Sequence, residues 1–208
     1  MPVVAGLQIL PLTPERWDDL AALFKEGGDP RWCWCMYLRL RAKDFAANTV
    51  AQNRDALRAL AGNDPAPGLL AYRGGRVVGW VSLGPRAGFE RIKRSRVIPK
   101  LDDRPVWSIV CFAVSEAARG EGVARALLRG AIDYARERGA PAVEAYPVDT
   151  RGQRIGSSAA YTGTLPMFLA AGFQVVRMTD SVSGGAPRPI VRRGLSENRQ
   201  PGGDVGGQ

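Results

Sequence analysis

Short apolar runs and stretches of helical periodicity take turns along this chain, and their order predicts a mixed α/β protein. Residues 7–11 read as an opening strand. Thr13 and Pro14 then offer an N-cap and a proline at the first helical position. The helix predicted from there to about Lys25 carries Trp17, Leu20, Leu23 and Phe24 at helical spacing, and Gly27-Gly28 ends it. An aromatic, sulfur-rich segment at 32–38 precedes a polar, Ala-rich helix predicted over 49–61. Strands are predicted over 69–73 and 76–83, joined by Gly74-Gly75, a two-residue hairpin signal. Residues 84–105 show no periodicity and read as a loop, or a loop with one short helix.

Residues 106–114 (Val-Trp-Ser-Ile-Val-Cys-Phe-Ala-Val) are almost continuously apolar and β-branched, as a strand buried on both faces should be. A polar turn at 115–121 leads into a helix predicted over 122–138. Its Val123, Leu127, Leu128, Ala131, Tyr134 and Ala135 share one side, and Gly139 is a suitable left-handed terminator. A strand is predicted at 142–146, then a Gly/Ser-containing stretch. A short helix over 165–171 follows, begun by Thr164 and stopped by Gly172. The last strands are predicted at 173–179 and 189–193, with 181–187 as their connector. The order β-α-α-β-β-β-α-β-α-β-β lacks the strict alternation of a doubly wound sheet. One domain over 1–195 and a disordered tail over 196–208 complete the expectation.

Charge and rare residues narrow the chemistry. Lys plus Arg outnumber Asp plus Glu by 29 to 20, a net +9 that favours anionic partners. No histidine is present, which excludes imidazole bases, Ser-His-Asp triads and His-ligated metal. Cys33, Cys35 and Cys111 are an odd set in a long chain, so a reducing, cytoplasmic setting is expected rather than a disulfide scaffold. Cys33-x-Cys35 has no further Cys or His to complete a site, and no metal is expected. No apolar run approaches the roughly 18 residues of a membrane span, and no leader-like segment opens the chain.

The strongest chemical signal is Arg119-Gly120-Glu121-Gly122-Val123-Ala124, set between a buried strand and an amphipathic helix. Small residues allow close backbone approach, and amides at a helix N-terminus favour an anion such as a pyrophosphate. An ordinary Gly-rich turn would look the same by motif alone. A strand ending Phe112-Ala113-Val114, then R-x-x-G-x-A opening a long helix, resembles the acyl-CoA motif of the GNAT N-acetyltransferase superfamily. Met167-Phe168-Leu169-Ala170-Ala171-Gly172-Phe173 is similar to that family's late helix, which finishes in Gly-Phe.

The resemblance implies a mixed sheet, flanked by helices, that splays between strands 106–114 and 142–146. It implies acetyl-CoA as cosubstrate, held by Phe112, Ala113 and Val114, by the loop Arg119, Gly120, Glu121, Gly122, Val123 and Ala124, and beside Phe168. An amine acceptor would attack the acetyl group directly, and a homodimer would be in keeping with the family. Two positions depart from its pattern. The tyrosine that protonates the leaving thiolate is Phe168 here, and the asparagine seven residues earlier is Tyr161. Tyr161 or Tyr146 are therefore the candidate acids, with water as the alternative. Glu144, on one strand face with Tyr146, is the candidate base, and Asp149 lies just beyond it. Both carboxylates could equally be solvated or paired with arginine. Trp32, Trp34 and Tyr37 are expected near the acceptor, and Cys111 in the core.

Two other classes of function stay open from the residues. One is an acyl-CoA-binding module without transfer, motivated by Phe168 and the absent histidine. The other is a basic nucleic-acid-binding protein, which rests on the net charge and the basic stretch 84–105. No helix-turn-helix, zinc-finger or RNA-binding signature accompanies that stretch, so nucleic acid is disfavoured as a partner.

Overall fold

A computed structural model describes residues 6–26, 30–153, 155–156 and 158–195. Gly27-Gly28 and the tail 196–208 lie outside the described residues. The chain begins with β1 (Leu7–Pro11), then a 3-10 turn at Pro14–Arg16 that leads into α1 (Trp17–Lys25). The Thr13 carbonyl accepts from the Arg16 N–H of this turn, while its side chain caps no backbone amide there. Three helices follow: α2 (Pro30–Cys33), α3 (Ala42–Ala47) and α4 (Val50–Leu60). Thr49 and Gln52 form a reciprocal capping box that starts α4. The sequence pattern missed α2 and α3, because four and six residues are too few to show a period.

The hairpin of β2 (Gly68–Arg73) and β3 (Arg76–Pro85) turns at Gly74-Gly75. Both glycines have positive φ, +54° and +77°, as a type I′ turn requires. The basic stretch holds a short α5 (Glu90–Lys93) before β4 (Trp107–Val114). Much of its charge is answered locally. Lys93 and Arg94 pair with Glu90, Lys100 with Asp103, and Arg104 with Asp102. Helix α6 (Val123–Glu137) then crosses to β5 (Ala142–Ala145). The chain finishes with α7 (Leu165–Leu169), β6 (Gln174–Arg177), a hairpin of β7 (Val182–Ser183) and β8 (Ala186–Pro187), and β9 (Ile190–Gly194).

The seven-stranded sheet runs β1-β2-β3-β4-β5-β9-β6, and only β4 and β5 are parallel. Parallel neighbours need a crossover, and α6 supplies it. Helix α6 packs one sheet face, with Val123, Leu127, Leu128, Ala131 and Ala135 buried against Val81, Ile109 and Val143. It lies close because Gly130 faces Ile9, where a Cβ would come within 2.7 Å of a methyl. The other face is covered by α1 and the aromatic segment, with Trp34 stacked on Trp17 at 5.7 Å and Phe24 edge-on to Trp80. Burying an aromatic side chain removes roughly 150–250 Å² from water, so this cluster anchors the second face.

The local geometry of β4 positions the site. Its ladder with β5 spans only Trp107↔Val143, Ser108↔Glu144 and Ile109↔Ala145. Beyond Ile109 the two strands part. On its other edge β4 pairs Cys111 with Ser82 and Ile109 with Leu83, leaving Val110 as an extra, bulged residue. A bulge bends a strand and raises its twist, which is what turns the end of β4 away from β5.

Candidate functional site: a groove between parted strands and the α6 N-terminus

A groove of about 690 Å3 runs from the end of β4 to the start of α6. Phe112, Ala113, Val114, Arg119, Gly120, Gly122, Val123 and Ala124 line it, together with Tyr161. Gly120 (φ +78°) and Gly122 (φ +81°) are both left-handed, a conformation that excludes most side chains. Gly122 is the N-cap of the fifteen-residue α6, and no side chain caps it. The first amides of the helix therefore point into the groove at the positive end of its dipole, with Arg119 and Arg125 beside them. Such a rim suits a pyrophosphate.

Backbone donors continue along β4. The Phe112 N–H donates to the Tyr161 carbonyl at 2.6 Å, on the edge facing away from β3. The Ser115 N–H donates toward β3, to Val78 O, so by alternation the Val114 N–H also faces the groove. Sequence reasoning found the loop and these two amides. It did not find Arg125, Ser158, Thr164, Glu26 or Glu116, which also line the groove. Arg125 had a usable signal, as the third residue of a helix opening on an anion-binding turn.

Two residues expected at the cofactor do not line the groove. Glu121 turns outward to pair with Arg73. Phe168 is fully buried, its ring edge-on to Phe112 at 6.1 Å and to Phe173 at 5.0 Å, so it supports the wall from behind.

Glu144 and Tyr146 lie outside the groove lining, in a polar cluster centred on a buried carboxylate. Glu144 is 1% exposed. Its Oε1 accepts from Arg192 Nε at 3.0 Å and from Nη2 at 2.5 Å, and Arg86 Nε lies 3.4 Å from Oε2. Arg192 also reaches Asp102 at 2.5 Å, which in turn holds Arg104 at 3.1 Å. Arg192 and Arg104 keep the Asp102 carboxyl well below the usual carboxylate range. The Tyr146 hydroxyl is 3.1 Å from Ser108 Oγ and donates to Glu144 at 3.4 Å. Burial, reinforced by the Glu144 charge, pushes this phenol up to about 12. Asp149 turns a carboxylate oxygen back to the Arg151 amide.

Of the candidate catalytic residues, Tyr161 is the one that lines the groove. Burial raises its phenol above the usual range, while the guanidinium of Arg188 opposes that rise. Of the expected acceptor-side aromatics, Trp34 is buried in the aromatic cluster, whereas Trp32 and Tyr37 are exposed at 57% and 41%. Cys111 is buried as expected, its sulfur 3.4 Å from that of Cys35. Trp34 and Cys35 are both left-handed, at φ +45° and +52°. Among the described residues no helix is long and apolar enough to cross a membrane.

Comparison with known proteins agrees with this geometry. The model of the acetyltransferase (GNAT) family matches residues 21–161, more than half of the chain, and the protein belongs to that family. A GCN5-related N-acetyltransferase from Kribbella flavida superposes with a TM-score of 0.56 at 20% identity, covering 91% of this chain and 98% of the other. A ribosomal-protein-alanine N-acetyltransferase from Brucella melitensis gives 0.54 at 21% identity, covering 90% and 99%. An N-acetyltransferase from Staphylococcus aureus Mu50 gives 0.55 at 14% identity, covering 92% and 100%. At these identities the likeness is one of fold. No curated protein matches the sequence.

Proposed function

We propose that the protein is an acetyl-CoA-dependent N-acetyltransferase that passes an acetyl group directly to a primary amine. The observation that carries this reading is the uncapped start of α6, with Gly120 and Gly122 left-handed and Arg119 and Arg125 alongside, opening on the same groove as Phe112 and Val114. Val123, Ala124 and the two arginines hold the diphosphate. The Phe112 and Val114 amides take the carbonyl groups of the pantetheine arm, and a donor at the thioester oxygen stabilises charge that develops as the amine adds. Acetyl-CoA supplies the activated acyl group.

The Tyr161 hydroxyl donates a hydrogen bond to the departing sulfur, because it alone of Tyr161, Tyr146 and Glu144 lines the groove. Its raised pKa keeps the proton on the phenol at neutral pH. A thiol of ordinary pKa near 8.5 makes a stable enough thiolate for such partial protonation to suffice. Glu144 and Tyr146 act as positioning residues, holding the base of the β4–β5 parting through Arg192 and Ser108.

Isothermal titration of acetyl-CoA, CoA and ATP tests the reading, with Arg119→Glu as control. Saturable binding of acetyl-CoA that the charge reversal abolishes is the expected result. Amine-dependent release of thiol then reports transfer. Absence of any acetyl-CoA binding would overturn it.

A further inference from the structure

Arg188 is a buried cation that no ion pair neutralises among the described residues. It precedes β9 and is 7% exposed. Its backbone is fixed on both sides, with its N–H donating to Ser181 O at 2.9 Å and its carbonyl accepting from Thr179 Oγ1 at 2.6 Å. Its Nε donates to the carbonyl of Tyr146, at the point where β5 ends and the strands have parted. The guanidinium carbon lies 5.7 Å from the centre of the Tyr161 ring, on the tyrosine that lines the groove. Its Nη2 is buried with no hydrogen-bond partner among the described residues.

Other buried guanidiniums also leave one nitrogen unbonded, Nε in Arg39 and in Arg86, but neither borders Tyr161. Arg192 has both Glu144 and Asp102, Arg86 stands 3.4 Å from Glu144, and Arg39 Nη2 is bonded to Pro67 O, Ser82 Oγ and Leu83 O. No described carboxylate forms an ion pair with Arg188. A buried charge left in this condition is costly unless something anionic answers it. Glu144, two residues before Tyr146, is already shared by Arg86 and Arg192, and Asp149 and Asp180, on the segments hydrogen-bonded to this one, form no ion pair with Arg188.

Resting on the N-acetyltransferase reading, we infer that the acceptor is a small amine bearing a carboxylate a few bonds from its nitrogen, such as a free amino acid, and that Arg188 receives this carboxylate. The guanidinium stands one aromatic ring from the groove. An acceptor anchored on it is therefore restricted to a short separation between anion and amine. Polyamines and other polycationic acceptors lack the anion that Arg188 would receive.

The test uses the full chain with acetyl-CoA and matched pairs of amines that differ only in the carboxylate: phenylalanine against phenethylamine, leucine against 3-methylbutylamine, lysine against cadaverine. Thiol release is read. In the favoured pair, the carboxylate-bearing member has a kcat/KM ten- to hundredfold higher, the range expected when a buried site forfeits one charge-assisted hydrogen bond. Arg188→Met removes this preference through the acceptor KM while acetyl-CoA binding by titration is retained. Arg188→Lys keeps part of it, and decides the matter should the methionine variant fail to fold. Equal use of both members of every pair, or a preference that survives in Arg188→Met, overturns the inference. Where no pair turns over, calorimetric titration of the same amino acids into protein saturated with CoA decides. Carboxylate-dependent binding that is lost in Arg188→Met, or weakened but not lost in Arg188→Lys, supports it, and no such binding overturns it. Failure to bind acetyl-CoA at all would instead defeat the underlying reading.

Discussion

Two regions beside the parted strands handle charge in opposite ways. On the α1 side of the sheet, Glu144 is shared by Arg192, Arg86 and Tyr146, Arg192 also reaches Asp102, and the carboxylate at the centre is sealed from water. At the mouth of the groove, the amides of α6 and the side chains of Arg119 and Arg125 stand without a protein cap. Charge satisfied internally contributes to holding a shape, and charge left outward-facing is available to a ligand. The contrast teaches that the most buried acid in a site is not for that reason its base.

Removing the centre of the sealed cluster should have the largest effect. Glu144→Ala leaves Arg192 and Arg86 without their anion, and should lower stability by about 3–5 kcal/mol, the usual result of breaking a buried pair. Urea unfolding checks it, and acetyl-CoA affinity of the folded fraction should hold. Next comes the groove. Gly122→Val places a β-branched residue at φ +81° over the first amides of α6, and should weaken acetyl-CoA binding about a hundredfold, or ~2.7 kcal/mol. Helical circular dichroism should show α6 intact.

A third test uses pH on the sealed side. Below pH 10 the Tyr146 phenol is protonated in both folded and unfolded chains and contributes nothing. Between 10 and about 12 the unfolded chain releases this proton while the native one keeps it, so wild-type stability falls as pH rises. Tyr146→Phe should escape about 2–3 kcal/mol of that loss, at about 1.4 kcal/mol for each tenfold difference in proton affinity between the two states. At neutral pH the variant starts lower, because Ser108 loses a partner. The smallest effect belongs to the residue between the two regions. Tyr161→Phe should reduce kcat about tenfold (~1.4 kcal/mol) with the KM for acetyl-CoA nearly unchanged, as for an interaction made mainly in the transition state.

How much of this was legible beforehand follows the range of the interactions. The β2–β3 hairpin, the buried run of β4 and the Arg119–Ala124 turn announce themselves locally, through glycine pairs, β-branching and the switch to helical period. The ladder order was legible only through family resemblance. Glu144 was legible as a residue and not as a role, because its partners Arg86 and Arg192 lie 58 and 48 positions away along the chain. The burial of Arg188 had no local mark either, since it sits in a connector between short strands. The left-handed turn at Trp34 and Cys35 was equally hidden. Nothing in a Trp-Cys pair asks for positive φ, and packing against Trp17 and Cys111 imposes it from outside.

The hydrogen bond from the Phe112 amide to the Tyr161 carbonyl makes the edge of β4 selective before any reaction begins. Whatever slides in beside that strand must exchange one acceptor for another. A visitor with a carbonyl at the right place returns the bond that it breaks. A hydrocarbon chain of equal length leaves the amide wanting, at about 1–3 kcal/mol. The strand thus sorts entrants by the chemistry of their linker rather than by their length, and the chain's own backbone sets the standard.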